Sequence, residues 1–132
     1  MAGERILIVD DNPVNLRLAS FLMTEQGYAV ETASDARDAL AKVASFRPHL
    51  ILMDIQLPGM DGLDLARLLR DDPATESVVI LALTAYAMKG DEDRVRLAGC
   101  DGYVTKPIDT RTLPSIVAGH LRRRASPEAR AS

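Results

Sequence analysis

The sequence has little of several residue types, and each shortage excludes a class of protein. One cysteine, Cys100, stands among 132 residues, so the chain cannot form an internal disulfide. No tryptophan occurs and aromatic residues make up 4% of the chain, which leaves few platforms on which nucleic-acid bases could stack. A formal net charge of −3 also removes the usual electrostatic drive for binding nucleic acid. We therefore expect no direct DNA binding.

Long apolar runs and a targeting segment are lacking as well. No stretch approaches the roughly 18 consecutive apolar residues of a membrane-spanning helix. The first residues, Met1 to Arg5, have neither the charged start nor the apolar stretch of a signal peptide. Together with the unpaired cysteine, these absences predict a cytoplasmic protein with no membrane contact.

The composition that is present is that of one globular domain. With 47% hydrophobic and 27% charged residues, the chain lies close to the globular average, and its length suits a single domain. We predict a domain over residues 1–124. The polar residues 125–132, after the last helical pattern, are expected to form a flexible C-terminal tail.

Short apolar runs alternate with helical patterns along the chain. The runs at 6–9, 50–53 and 78–83 are continuous, as in central strands of a parallel sheet, whereas those at 28–33 and 102–105 are mixed, as in edge strands. Helices between such strands form right-handed crossovers. The pattern predicts an α/β fold, a flavodoxin-like (βα)5 doubly wound parallel sheet with strand order 2-1-3-4-5.

Two of the helical patterns predict which side chains face the sheet. Between residues 14 and 26, apolar residues at helical spacing include Leu18, Phe21 and Leu22. In the next helix one apolar stripe is predicted, and its members are Ala36, Ala39, Leu40, Val43 and Ala44.

Carboxylates follow the first and third strands, which flank the point where the strand order reverses. Asp10 and Asp11 come directly after the first strand, and Asp54 comes after the third. Ligands of open α/β sheets bind beyond the carboxyl ends of the strands at this point, so the three carboxylates are expected to converge there. Oxygen ligands with no nearby histidine favour Mg²⁺ over zinc. The sequence therefore predicts a magnesium site.

A lysine and a threonine complete this end of the predicted sheet. Lys106 follows the fifth strand and Thr84 follows the fourth. Charges of −3 from the aspartates and +1 from Lys106 sum to −2, which one Mg²⁺ brings to zero. Such a site suits a phosphoryl group, because the cations offset its charge and a hydroxyl can donate to its oxygens. One of the aspartates could be the nucleophile, since carboxylates form acyl phosphates.

This set of residues, each placed after its strand, resembles the receiver domain of two-component response regulators. The resemblance covers about residues 4–122, and its motifs are Asp10-Asp11, Asp54, Thr84 and Lys106-Pro107. It implies that Asp54 accepts a phosphoryl group from a phosphohistidine on a histidine kinase or a histidine phosphotransfer protein. It also implies that the chain is not an enzyme in the ordinary sense. The domain would catalyse only its own phosphotransfer and dephosphorylation.

The same resemblance implies a ligand set for the metal. Asp11, Asp54 and the backbone carbonyl of Gln56 would bind Mg²⁺ directly, and Asp10 would act through water or as a weaker ligand. Mn²⁺ is the expected substitute. No other cofactor is implied.

The resemblance also implies roles for residues around the phosphoryl group. Lys106 would contact that group, and its bond to Pro107 would be cis. Thr84 and Tyr103 would form the family's switch pair. The expected partner surface is the face formed by residues 88–124. We expect a monomer or a weak dimer.

Two subgroups of receivers share the local motifs of this chain. The stretches 83–91 and 98–103 resemble stand-alone regulators of alphaproteobacterial cell-cycle control and receivers at the ends of hybrid histidine kinases. A start at Met1 and an end soon after the last helix favour the stand-alone form. The alternative is a hybrid-kinase receiver that acts as a phosphorelay intermediate or a phosphate sink.

Three other classes fit the motifs less well. An aspartyl-phosphate hydrolase would need an Asp-x-Asp pair after the first strand, where Asp10-Asp11-Asn12 stands, and also a cap region. A dinucleotide-binding module would need a Gly-x-Gly-x-x-Gly motif at the same place. A receiver used only for docking would normally have lost Asp54 or Lys106, and both are present.

Overall fold

Strands and helices alternate in the computed structural model of the chain, which describes residues 3–85 and 89–125. Within this part of the chain the strands are β1 (Arg5–Val9), β2 (Ala29–Ala33), β3 (Leu50–Asp54), β4 (Val79–Thr84) and β5 (Gly102–Thr105). The helices are α1 (Pro13–Glu25), α2 (Ala36–Phe46), α3 (Gly62–Asp71), α4 (Lys89–Leu97) and α5 (Leu113–Ala125).

The strands form one parallel sheet in the order β2-β1-β3-β4-β5. This confirms the predicted fold class and strand order, with the continuous apolar runs in the centre and the mixed runs at the edges. All residues of β3 and β4 are buried, because helices cover both faces of the sheet. The chain order reverses between β1 and β3, so the carboxyl ends of these two strands are neighbours.

Two apolar clusters hold the helices on the sheet. On one face α2, α3 and α4 pack through side chains such as Val43, Leu65 and Val95. On the other face α1 and α5 pack through side chains such as Met23 and Val117. The fold is therefore three layers with the sheet in the middle.

The predicted apolar faces of α1 and α2 are wrong in part. Phe21 is 60% exposed, because 100° per residue places it about 200° around the helix from the buried Ala19. Leu40 is 38% exposed beside the buried Ala39, and Ala44 is exposed too. In both helices the buried stripe is narrower than the apolar pattern.

The last helix extends one residue past its predicted limit. α5 continues through Ala125, the first residue of the predicted tail, and residues 126–132 lie outside the described residues. Met88, the predicted start of the fourth helix, also lies outside them. The division into a domain and a tail therefore remains a prediction. Among the described helices, none has the length and apolar character required to cross a membrane.

Candidate functional site

The first carboxylate, Asp10, lies fully buried directly after β1. One of its oxygens, Oδ1, accepts a hydrogen bond from the Asn12 amide (2.9 Å), and Oδ2 accepts one from Nδ2 of Asn15 (3.1 Å). Neither asparagine was predicted from the sequence to hold a site residue. The available signal was Asn12-Pro13, since asparagine before a proline is a common helix start, and Asn12 does cap α1. The first turn of α1 thus holds the Asp10 carboxylate in place.

Asp54 is the buried last residue of β3. Its Oδ1 accepts a hydrogen bond from the Gln56 amide (2.8 Å), and its Oδ2 accepts one from Nζ of Lys106 (2.5 Å). The bond to Gln56 turns the chain sharply after the strand. Gln56 itself is exposed and stands two residues beyond the carboxylate.

Lys106 brings a positive charge to both buried carboxylates. Its Nζ lies 2.5 Å from Oδ2 of Asp54 and 3.6 Å from Oδ2 of Asp10. Burial alone would lower the pKa of this ammonium, but the two carboxylates outweigh burial and raise the pKa above its ordinary value. The backbone amide of Lys106 bonds to the Thr84 carbonyl (2.8 Å), and the Lys106–Pro107 peptide bond is cis.

The three predicted carboxylates converge. One oxygen each from Asp10, Asp11 and Asp54 lies within 4.8 Å of the others, with Asp11 exposed and the other two buried. Burial, with the nearby Asp54 charge, raises the pKa of Asp10, although the Asn12 amide and Lys106 oppose this. Three hard oxygen ligands and one offsetting cation fit Mg²⁺, since a dipositive ion would relieve the remaining repulsion.

The predicted switch residues lie on the strands beside this cluster. Thr84 is the buried last residue of β4, and Tyr103 on β5 is half-buried against the core. Tyr103 stands opposite Ala82, two residues before Thr84. Because side chains alternate along a strand, Thr84 and Tyr103 face the same side of the sheet, the side that α4 covers.

A close contact that the sequence analysis missed lies under Asp54. The first residue of α3, Gly62, donates its amide hydrogen to the Ile55 carbonyl (2.9 Å). A Cβ on Gly62 would stand 2.7 Å from Cα of Ile55 and 3.2 Å from the Asp54 carbonyl carbon. Such distances are tighter than normal packing allows. Only glycine lets α3 begin this close to the acidic loop.

A second missed feature is Arg70, which ties α3 to the loop between α4 and β5. Its guanidinium donates to the carbonyls of Gly99 (2.6 Å), Glu76 (2.8 Å) and Val78 (2.5 Å), and to the Asp101 carboxylate (2.5 Å). The same carboxylate accepts a hydrogen bond from the Ile80 amide (2.8 Å). These bonds fix the entry into β5, the strand that precedes Lys106.

Comparisons with known proteins agree on one family. Residues 6–118 match the family described as response regulator receiver domain. The chain is 39% identical over 118 residues to the polar-differentiation response regulator DivK of Brucella anthropi, covering 89% of this chain and 96% of that protein. The corresponding protein of Brucella ovis is 38% identical over the same length.

Solved structures show the same similarity. The chemotaxis response regulator CheY4 of Vibrio cholerae superposes with a TM-score of 0.85 at 29% identity, over 89% of this chain and 98% of that one. The signal receiver domain of a signal transduction histidine kinase from Syntrophus aciditrophicus superposes with a TM-score of 0.78 at 30% identity, over 92% and 89%.

Proposed function

We propose, because the chain belongs to the response regulator receiver domain family, that Asp54 accepts a phosphoryl group from a phosphohistidine on a histidine kinase or a histidine phosphotransfer protein. Receivers are signalling switches and not enzymes in the ordinary sense, and their family binds Mg²⁺. Any catalysis is therefore limited to the domain's own phosphotransfer and dephosphorylation.

The contact between Asp54 and Lys106 supports Asp54 as the acceptor over the other two aspartates. Asp10 is held at both oxygens by Asn12 and Asn15, and Nζ of Lys106 lies 3.6 Å from it against 2.5 Å from Asp54. Asp11 is exposed, whereas the other two are buried. Asp54 ends the central strand, and a cation already stands at one of its oxygens.

Transfer forms one bond and breaks one. A carboxylate oxygen of Asp54 attacks phosphorus as the phosphorus–nitrogen bond of the donor breaks, and the electron pair of that bond remains on the imidazole nitrogen. Lys106, which pairs with the carboxylate beforehand, would then pair with a phosphoryl oxygen. Asp10, Asp11, Asp54 and the Gln56 carbonyl would hold Mg²⁺ (or Mn²⁺), which supplies charge neutralisation for the phosphoryl oxygens.

The change in the partner surface would follow from the negative charge that phosphorylation adds at Asp54. An aspartyl phosphate carries roughly one more negative charge than a carboxylate, with further acceptor oxygens. The Thr84 hydroxyl would move toward these oxygens and leave room for Tyr103 to turn inward on the same face of the sheet. The face of residues 88–124 would change its partner affinity as a result. A shift of population from 1:99 to 99:1 takes about 5.5 kcal/mol, so partial activity before phosphorylation is expected.

The proposal includes a single-domain role. This chain covers nearly the whole length of the regulator from Brucella anthropi, which supports that role over a receiver inside a hybrid kinase. We extend the proposal to a monomer or weak dimer in the cytoplasm. Cys100 is free and buried, and burial raises the pKa of its thiol to about 11, which suits an inert thiol in a reducing compartment.

Phosphorylation in the presence of Mg²⁺ tests the acceptor. Acetyl phosphate or a phosphorylated kinase should label the protein, and Asp54→Asn should abolish the label. Asp61→Asn is the matched control, because Asp61 is an exposed carboxylate that caps α3 and asparagine caps equally well. Undiminished labelling of the Asp54 variant would show that another residue is the acceptor.

A further inference from the structure

A groove lies at the end of the sheet opposite the carboxylates. It runs between α2 and α3, past the starts of β1, β3 and β4, and has a volume of about 750 Å³. Val43, Leu69 and Val78 form its buried apolar floor. Leu40 and Leu68 stand over this floor and are 38% and 47% exposed. An apolar side chain from outside could cover both leucines.

Arginines surround this apolar floor. Arg5, Arg47 and Arg124 line the groove, and none of them forms an ion pair with a carboxylate in the described part of the chain. Arg5 donates through Nε to the Arg47 carbonyl (2.9 Å), and Arg124 donates through Nε to the Ser77 carbonyl (3.3 Å). No other hydrogen bond of these two guanidinium groups involves a residue within 3–85 or 89–125.

Among the described residues one carboxylate lines the groove, and a second, Glu4, acts on His49 from nearby. Asp72 lines the groove, but its Oδ1 is used to accept the Ala74 amide (2.9 Å) in the turn after α3. His49 also lines the groove, and its Nδ1 accepts a hydrogen bond from the Arg5 amide (2.9 Å). Burial and the charges of Arg5 and Arg124 lower the pKa of His49, although the Glu4 charge opposes this, so the imidazole is neutral near pH 7. The groove therefore carries an excess of positive charge.

Arg47 adopts a backbone conformation that favours glycine. Arg47 ends α2 with a φ of 54°, in the left-handed region where glycine is the favoured residue. Arginine at this position is less favourable for folding than glycine. It does place an exposed guanidinium at the mouth of the groove.

We propose that this groove binds an acidic amphipathic segment of another protein. Its apolar side chains would pack on Leu40 and Leu68, and its carboxylates would pair with Arg5, Arg47 and Arg124. Nucleic acid fits less well, because the groove is apolar at its centre, has no aromatic lining for bases and belongs to a chain of net charge −3. The groove is distant from Asp54, so the proposal does not depend on phosphorylation.

Fluorescence anisotropy with a designed probe tests the proposal. The probe is a labelled helical peptide with leucines on one face and glutamates flanking them, and a shuffled peptide of equal composition is the reference. Wild-type protein should bind the probe and not the shuffled peptide. Arg47→Gly should weaken binding by about tenfold, as loss of a charge-assisted contact does, while the melting temperature is kept or raised.

Matched controls separate the groove from general charge effects. Arg17→Ala removes an exposed arginine on α1, outside the groove, and should leave the affinity for the probe unchanged. Failure of the wild type to bind, or equal binding by Arg47→Gly, would overturn the proposal. Equal competition by a single-stranded oligonucleotide would assign the surface to nucleic acid instead. A dimer in sedimentation that Arg47→Gly dissociates would assign it to a second copy of the chain.

Discussion

Replacing Gly62 by alanine tests the close packing of α3 under Asp54. The added Cβ would stand 2.7 Å from Cα of Ile55, where 3.4 Å is the lower limit of ordinary contact. The first turn of α3 or the loop after β3 must therefore move by more than about 0.7 Å, because the Cβ would lie closer still to the Asp54 carbonyl oxygen. The neighbouring atoms belong to the backbone, so no side chain can rotate away.

Two opposing effects set the size of the change. Overpacking in a tight site costs about 1–3 kcal/mol, whereas alanine is favoured over glycine in a helix by up to about 1 kcal/mol. We expect the steric cost to win, with a loss of about 1–2 kcal/mol in the free energy of unfolding. Because the displaced backbone carries Asp54, labelling by acetyl phosphate should slow as well.

Urea denaturation and a labelling time course measure both effects. Gly119→Ala is the control, because its Cβ would meet only the Arg123 guanidinium at 3.9 Å within the described structure. That variant should gain roughly 0.5–1 kcal/mol from helix propensity and label normally. If Gly62→Ala unfolds at the same or a higher urea concentration and labels at the wild-type rate, the steric argument is refuted.

Three further predictions concern the metal, the pH and the switch. Asp11→Ala should abolish the rise in melting temperature that Mg²⁺ causes and should raise stability without metal, because one of three repelling carboxylates is gone. A wild-type melting curve unmoved by Mg²⁺ would contradict this. The pKa of His49 is lowered from 6.5 by burial and by Arg5, so the unfolded chain binds this proton more tightly and stability should fall as the pH drops below 6.5. His49→Asn keeps an acceptor for the Arg5 amide and should make stability depend less on pH. Urea midpoints measured above and below pH 6.5 check this. Beryllofluoride, a phosphoryl mimic, should shift amide resonances of residues 89–105 in the wild type, and equal shifts in Thr84→Ala would exclude Thr84 as the coupling residue.

The sheet and the carboxylate cluster could be predicted because both follow from strand pattern. Continuous apolar runs indicate the central strands, and topology then fixes which strand ends meet, so the sequence predicts that Asp10, Asp54 and Lys106 lie together, as they do. This inference needs only that residues directly after parallel strands share one edge of the sheet.

Side-chain contacts between distant segments could not be predicted in this way. Arg70 bonds to Gly99 and Asp101, which are 29 and 31 residues away, and no periodicity in the sequence relates these positions. The exposure of Phe21 depends on the rotation of α1 about its axis, which tertiary packing decides. The closeness of Gly62 to Ile55 depends on the path of a loop that has no pattern of its own.

The long sequence separation across the site has a consequence for how the protein becomes competent. Lys106 and Asp54 are 52 residues apart and meet only when β5 has joined β4 at the edge of the sheet. A chain still being synthesised can contain all three aspartates and yet lack the cation that pairs with them. Contacts of such long range form late, since loop closure must precede them. A transfer that uses Lys106 therefore begins only after β5 has paired with β4.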